Sequence, residues 1–339
     1  MRKTLANATK LALIRKKLGH APMIWKPTTW LDTKVAGLNP VLGHREKGIP
    51  YGRMMEVFGW SSQGKSSIVM SLAALMQRDG AFVVLGDIEN SFEADYARAR
   101  GLVQCPVCKG TLFVQSKVKG KTTRKECTNC VFQEEPSGLD FDRLMVIKPY
   151  VGEFKDVDPD TKRVKKAARL ANAQELCAEV EEAIQLKVPQ DRKVIILDSV
   201  AAMLTAGEQA AGLNGGMRSN MELPLFMGKL LRRWVGLAQV HNAIIILVNQ
   251  LRTGPKSFGN PDYTPGGNAP SFYSHTRIQV KRIQGSRIKD KGRTIGIKGK
   301  LVCIKNKTGG EEGAEIGFRL LFAGGLEFVT VKSLQEDAE

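Results

Sequence analysis

Residues 54–77 read MMEVFGWSSQGKSSIVMSLAALMQ, and this stretch decides the fold. An apolar run from Met54 to Trp60 contains Gly59. From Gly64 to Gln77 apolar residues recur at helical spacing through Ile68, Val69, Leu72, Leu75 and Met76, until Gly80 stops the pattern. Between the two, Gly59-Trp60-Ser61-Ser62-Gln63-Gly64-Lys65-Ser66 fits G-x-x-x-x-G-K-[ST] in the strand-loop-helix setting that this motif requires. Glycines let successive backbone N–H groups turn inward on phosphate oxygens, and the helix N-terminus adds positive potential. Lys65 then reaches the β and γ phosphates and Ser66 holds Mg²⁺, with Ser61, Ser62, Gln63 and Ser67 completing a cradle for Mg-ATP.

Outward from this loop, buried strands are expected at 81–85, 194–197, 244–248, 277–280 and 300–304, with helices near 169–186 and 222–240. Strands alternating with helices imply an α/β fold with a mainly parallel sheet. The strand ending at Asp198 would bring its carboxylate beside the phosphate loop to hold the Mg²⁺ shell; a helix-capping Asp is the alternative. Asp87 and Glu89 follow another strand, where a carboxylate can orient or deprotonate water, or be a solvated loop acid. Residues 205–219 and 252–270 are Gly-rich and each follows a strand, which is where ligands bind in open parallel sheets.

Lys and Arg total 51 against 34 Asp and Glu, a net charge of +17, which favours nucleic acid over an anionic membrane as partner. No apolar window is long enough to span a bilayer, and the basic N-terminus has no signal-peptide core, so a cytoplasmic chain is expected. Of the 6 cysteines, Cys177 and Cys303 sit among apolar residues and read as core. The others form Cys105-x-x-Cys108 and Cys127-x-x-Cys130, 18 residues apart, the spacing of a structural zinc ribbon, with iron–sulfur as the alternative. Six basic residues against Glu126 between these pairs give the ribbon a +5 surface suited to DNA. A second basic track, 277–300, carries nine Lys or Arg against Asp290 and equally fits a solvated hairpin face.

These motifs, in this order, make the chain similar to the bacterial RecA-type recombinase family from about Gly48 to about Gly325. Besides the phosphate loop they include Asp87-Ile88-Glu89, Tyr96-Ala97-Arg98, Leu197-Asp198-Ser199-Val200-Ala201-Ala202, Val248-Asn249-Gln250-Leu251-Arg252, Phe258-Gly259-Asn260-Pro261, Gly266-Gly267-Asn268-Ala269 and Lys305-Asn306-Lys307. The resemblance implies a RecA-like P-loop NTPase core in which Glu89 is the base for the hydrolytic water, Tyr96 stacks on adenine and Gln250 senses the γ-phosphate. It makes Lys305 and Lys307 reach the neighbouring protomer's phosphates; a solvated basic edge is the alternative. The two Gly-rich loops then contact DNA through Met217, Arg218, Arg252, Lys256, Phe258, Gly266, Gly267 and Asn268.

The resulting division is a helix and connector for protomer docking at 1–47, a core at 48–102 and 139–330, an inserted ribbon at 103–138 and a tail at 331–339. The usual members lack such a ribbon and carry a separate C-terminal domain. The expected function is a DNA-dependent ATPase forming homo-oligomeric filaments on single-stranded DNA and pairing it with homologous duplex, in a bacterial cell or phage-infected host. Its cofactors would be ATP, Mg²⁺ and Zn²⁺. The rivals are a hexameric helicase or translocase and a non-catalytic single-strand-binding recombination mediator.

Overall fold

The structure is a computed structural model and describes residues 29–93, 113–118, 121–126, 143–151, 169–188, 191–212, 221–254, 262–322 and 325–336. The expected N-terminal helix over residues 1–20 lies outside them. The chain enters through β1 (Trp30–Leu31), α1 (Asn39–Leu42) and β2 (Ile49–Pro50), where β1 and β2 pair antiparallel. Then come β3 (Met54–Gly59), α2 (Lys65–Arg78) and β4 (Phe82–Asp87). The strands β5 (Phe113–Val118) and β6 (Lys121–Glu126) form an antiparallel hairpin between the two cysteine pairs.

Next are β7 (Leu144–Ile147), a small pair β8 (Tyr150–Val151) and β9 (Arg169–Leu170), α3 (Ala173–Gln185) and β10 (Lys193–Asp198). A short helix α4 (Ala206–Ala211) precedes the long α5 (Glu222–Val240) and β11 (Ala243–Gln250). The miniature pair β12 (Arg252–Thr253) and β13 (Asp262–Tyr263) leads to α6 (Ala269–Tyr273). The end of the chain is β14 (Thr276–Asp290), β15 (Arg293–Asn306), β16 (Glu315–Leu321), β17 (Leu326–Val329) and α7 (Val331–Glu336).

The main sheet has 9 strands in the order β17-β16-β15-β14-β3-β11-β10-β4-β7. From β14 to β7 every neighbouring pair is parallel, and from β14 to β17 every pair is antiparallel. Every residue of β3 and β10 is buried, as is β11 up to Gln250, because helices cover both faces and leave no strand side to water. One core layer packs α2, through Ile68, Val69, Leu72 and Met76, on one face of the sheet. The other packs α3 and α5, through Leu176, Val180, Met227, Leu231 and Trp234, on the opposite face. Loops leaving the carboxyl ends of β3 and β10 thus diverge, and the crevice between them is the ligand position of such sheets.

Local sequence explains most of these elements. Asn172 and Glu175 form a reciprocal capping box that starts α3. Thr205 and Glu208 do the same for α4, so the first Gly-rich segment, read from sequence as loop, begins as helix. The T-x-x-E signal at 205–208 carried that information. Cys177 and Cys303 are buried, as expected of core residues. At the C-terminus, α7 buries Leu334 against Gly317 of β16, so residues 331–336 pack on the core. Among the described residues no helix is long and apolar enough to cross a membrane.

Candidate nucleotide site

The loop after β3 enters α2 through Gly64, whose φ of 87° is left-handed and strained for any other residue, and where a Cβ would also press on Leu320 Cδ2 at 2.8 Å. The helix has no side-chain N-cap and no acid in its first turn, so its N-terminal N–H groups and dipole face the loop unopposed. Ser62 also takes a positive φ of 58°, and its carbonyl accepts from Arg282 of β14. Lys65 is buried and donates from Nζ to Trp60 O at 2.8 Å, which curls the ammonium over the loop. Burial depresses the Lys65 pKa, while Asp198 and Glu89 pull it the other way.

Asp198 ends β10 directly across from this lysine. Burial lifts its carboxyl to about 6, and the negative charges of Glu89 and Asp87 add to the rise; the Ser66 hydroxyl bonded to it and Lys65 oppose it. Ser66 and Asp198 therefore meet, as expected of a pair that shares Mg²⁺. Among the described residues no group of 3 or more His, Cys, Asp or Glu is arranged to hold a metal. Two oxygens still fit Mg²⁺, which keeps waters and takes phosphate oxygens to complete its shell.

Asp87 and Glu89, alternatives in sequence, are separated by geometry. Asp87 is buried and accepts from Ser91 N at 2.9 Å, Phe92 N at 3.0 Å and Lys148 Nζ at 2.5 Å. Its lone pairs hold the 87–92 loop in shape. The backbone N–H groups of Ile88 and Glu89 both bond Asp198 O, at 2.8 and 3.2 Å, which ties this loop to the end of β10. Glu89 Oε1 accepts from Gln250 Nε2 at 3.0 Å and from the Ser199 hydroxyl. Lys148 and Ser199 escaped the sequence reading as site residues, although Ser199 stands beside Asp198 in a quoted motif. Nothing local marks Lys148, because its partner is 61 residues away.

Lys305 donates from Nζ to Ser271 O at 2.6 Å and Phe272 O at 3.1 Å, at the last turn of α6, where a cation complements the helix dipole. Lys305, Lys307 and Arg53 crowd His275, so both lysines belong to one basic cluster. Arg252 is exposed and donates to Ala201 O at 3.3 Å. Its strand pairing with Tyr263 closes the root of the second loop. Gly266 and Gly267 adopt φ of 93° and 68° and turn the chain into α6 at Asn268. Tyr96, Cys105, Cys108, Cys127, Cys130, Met217, Arg218, Lys256 and Phe258 lie outside the described residues.

The family model of the RecA N-terminal domain matches residues 14–107 and 174–327, which includes the phosphate loop, Asp198, Gln250 and the Lys305–Lys307 edge. The chain belongs to the RecA family. Protein RecA of Paramagnetospirillum magnetotacticum is 27% identical over 294 residues, covering 86% of this chain and 65% of the relative. Protein RecA of Clostridioides difficile is 27% identical over 278 residues, covering 82% and 61%. For Ureaplasma parvum serovar 3 the figures are 30% over 263 residues, with 77% and 59% covered. This RecA-family chain thus spans 59–65% of the length of these three curated relatives. The mostly parallel sheet agrees with a RecA-like core.

Proposed function

We propose that this chain is an ATP-dependent DNA strand-exchange recombinase that assembles as a helical filament on single-stranded DNA, pairs it with homologous duplex and hydrolyses ATP to reset. The observation that carries the reading is the contact of Glu89 with Gln250 opposite Lys65 and Asp198. This contact supports reading Glu89 as the water-handling acid and Gln250 as the phosphate-sensing amide, at the root of the loop expected to touch DNA. Lys65 holds the terminal phosphates, and Gly59, Ser61, Ser62, Gln63, Gly64 and Ser67 wrap them. Ser66 and Asp198 would hold Mg²⁺, which when bound neutralises phosphate charge. Glu89 takes the proton of the attacking water on its carboxylate, while Gln250 turns its Nε2 from Glu89 to the γ-phosphate.

Tyr96 stacks on adenine. Lys305 and Lys307 act across the protomer boundary, with Lys305 exchanging the α6 carbonyls for the neighbour's phosphates. Met217, Arg218, Arg252, Lys256 and Phe258 contact DNA over the turn made by Gly266, Gly267 and Asn268. Residues 1–47 dock on the next protomer, 48–102 and 139–330 are the catalytic core, 331–339 the tail, and 103–138 a ribbon in which Cys105, Cys108, Cys127 and Cys130 bind Zn²⁺. The setting is the cytoplasm of a bacterial cell or phage-infected host, in association with the nucleoid. A strand-exchange assay with homologous duplex, with electron microscopy of the same mixtures, tests this. Filaments that exchange strands are expected; closed rings would indicate a translocase, and filaments without exchange a coat or mediator.

A further inference from the structure

One buried acid in the middle of the sheet has no part in the reaction above. Glu56 lies on β3 with 0% exposure, between β11 and β14. Its Oε1 accepts from Asn249 Nδ2 at 3.1 Å and its Oε2 from Arg277 Nε at 2.6 Å. Asn249, equally buried, also donates from Nδ2 to Pro265 O at 3.0 Å and accepts Gln250 N on Oδ1 at 3.0 Å. Arg277 is fixed further by the Phe58 ring, 4.5 Å from its guanidinium carbon. The sensor strand, the returning end of the second loop and the strand leading to the basic cluster therefore meet around one carboxylate.

We propose that Glu56 is the positioning residue that makes the nucleotide response of Gln250 and the placement of Pro265, at the returning end of the second loop, a single event. The inference rests on the reading of Gln250 as phosphate sensor. A shift of Gln250 along β11 pulls Asn249 through its Oδ1, and Asn249 cannot then keep both Glu56 and Pro265. The bond to a carboxylate is charge-assisted and roughly twice as strong as one to a neutral carbonyl, and Arg277 pins that carboxylate in a dry setting. Pro265 is accordingly the side that yields. The root of the loop moves, while β3, which carries the phosphate loop, stays in place.

The test uses the full chain as wild type, Glu56→Gln and Asn249→Ala. Affinity for a fluorescent oligo-dT is measured with and without a non-hydrolysable ATP analogue, together with analogue affinity with and without DNA, and the urea midpoint. Linkage requires the same coupling factor in both directions. A wild-type factor of about 10 or more is expected, falling to within about 3-fold of unity in both variants, with analogue affinity in the absence of DNA changed by less than about 3-fold. A merely structural role would lower the urea midpoint and leave the factor intact, which overturns the proposal. A wild-type factor near unity overturns the sensor reading and the Glu56 step together. If Glu56→Gln does not fold, Asn249→Ala decides; if neither folds, the trio is only a fold element and the proposal falls.

Discussion

Glu89 presents a carboxylate oxygen to two donors, Gln250 and Ser199, whereas Asp87 is enclosed by its own loop and Lys148. Glu89→Gln is therefore expected to keep ATP-analogue binding and filament assembly while lowering kcat by about 100-fold or more, the range of a lost general base. Unchanged turnover would remove Glu89 from that role. Lys65→Ala should instead lose nucleotide binding itself. A second residue-scale prediction concerns His275, whose Nδ1 accepts from Met54 N at 3.3 Å. Burial, and then Arg53, Lys305 and Lys307, depress it to about 4. The unfolded chain then binds more protons than the folded one between about pH 6.5 and 4, so stability is full above that window and falls through it on acidification. His275→Asn, which keeps an acceptor, should remove about 1–3 kcal/mol of that pH dependence, read as urea midpoints at a series of pH values. Parallel pH profiles for variant and wild type would refute it.

Among the elements, the crossover from β4 to β7 carries the cysteine pairs. These two strands are parallel neighbours in the sheet, so their connection must cross from the carboxyl end of β4 to the amino end of β7. The hairpin β5–β6 occupies the middle of that connection, and Cys127 follows its last residue. The insertion has few apolar residues of its own, so under the zinc-ribbon proposal metal would supply its folding energy. Replacing Cys127 and Cys130 with Ser is expected to release one zinc per chain, by mass spectrometry, and to leave ATPase activity intact. Loss of ATPase would mean that the insertion is not separable from the core. The helices show what was readable at this scale: α3 and α5 announce themselves by apolar spacing, and α4 by its capping box. The antiparallel end of the sheet was only partly legible, since β16 and β17 are short and pair with each other in a register that no local pattern dictates.

At the scale of the molecule, the proposed trans role of Lys305 and Lys307 makes each active site a shared property. Lys65→Ala subunits and Lys305→Ala/Lys307→Ala subunits should each be inactive alone. Mixed, they should regain ATPase at the boundaries that join two intact halves. No recovery at any ratio, with co-assembly shown by microscopy, would confine the lysines to their own protomer. What the sequence determined by itself was everything fixed by neighbours along the chain: the G-x-x-x-x-G-K-S loop, the helix behind it and the strand ends that put Asp198, Glu89 and Gln250 at one edge of a parallel sheet. These follow from spacing and backbone geometry, which act over a few residues. Only the tertiary structure separated the surroundings of two nearby acids: Lys148, just beyond β7, occupies Asp87, whereas Glu89 meets Gln250 and Ser199. It alone also revealed Glu56, one acid inside an apolar strand, as the meeting point of Asn249 and Arg277, 193 and 221 residues away. A buried charge must find partners wherever the sheet order places them, and that order is set by the packing of the whole chain.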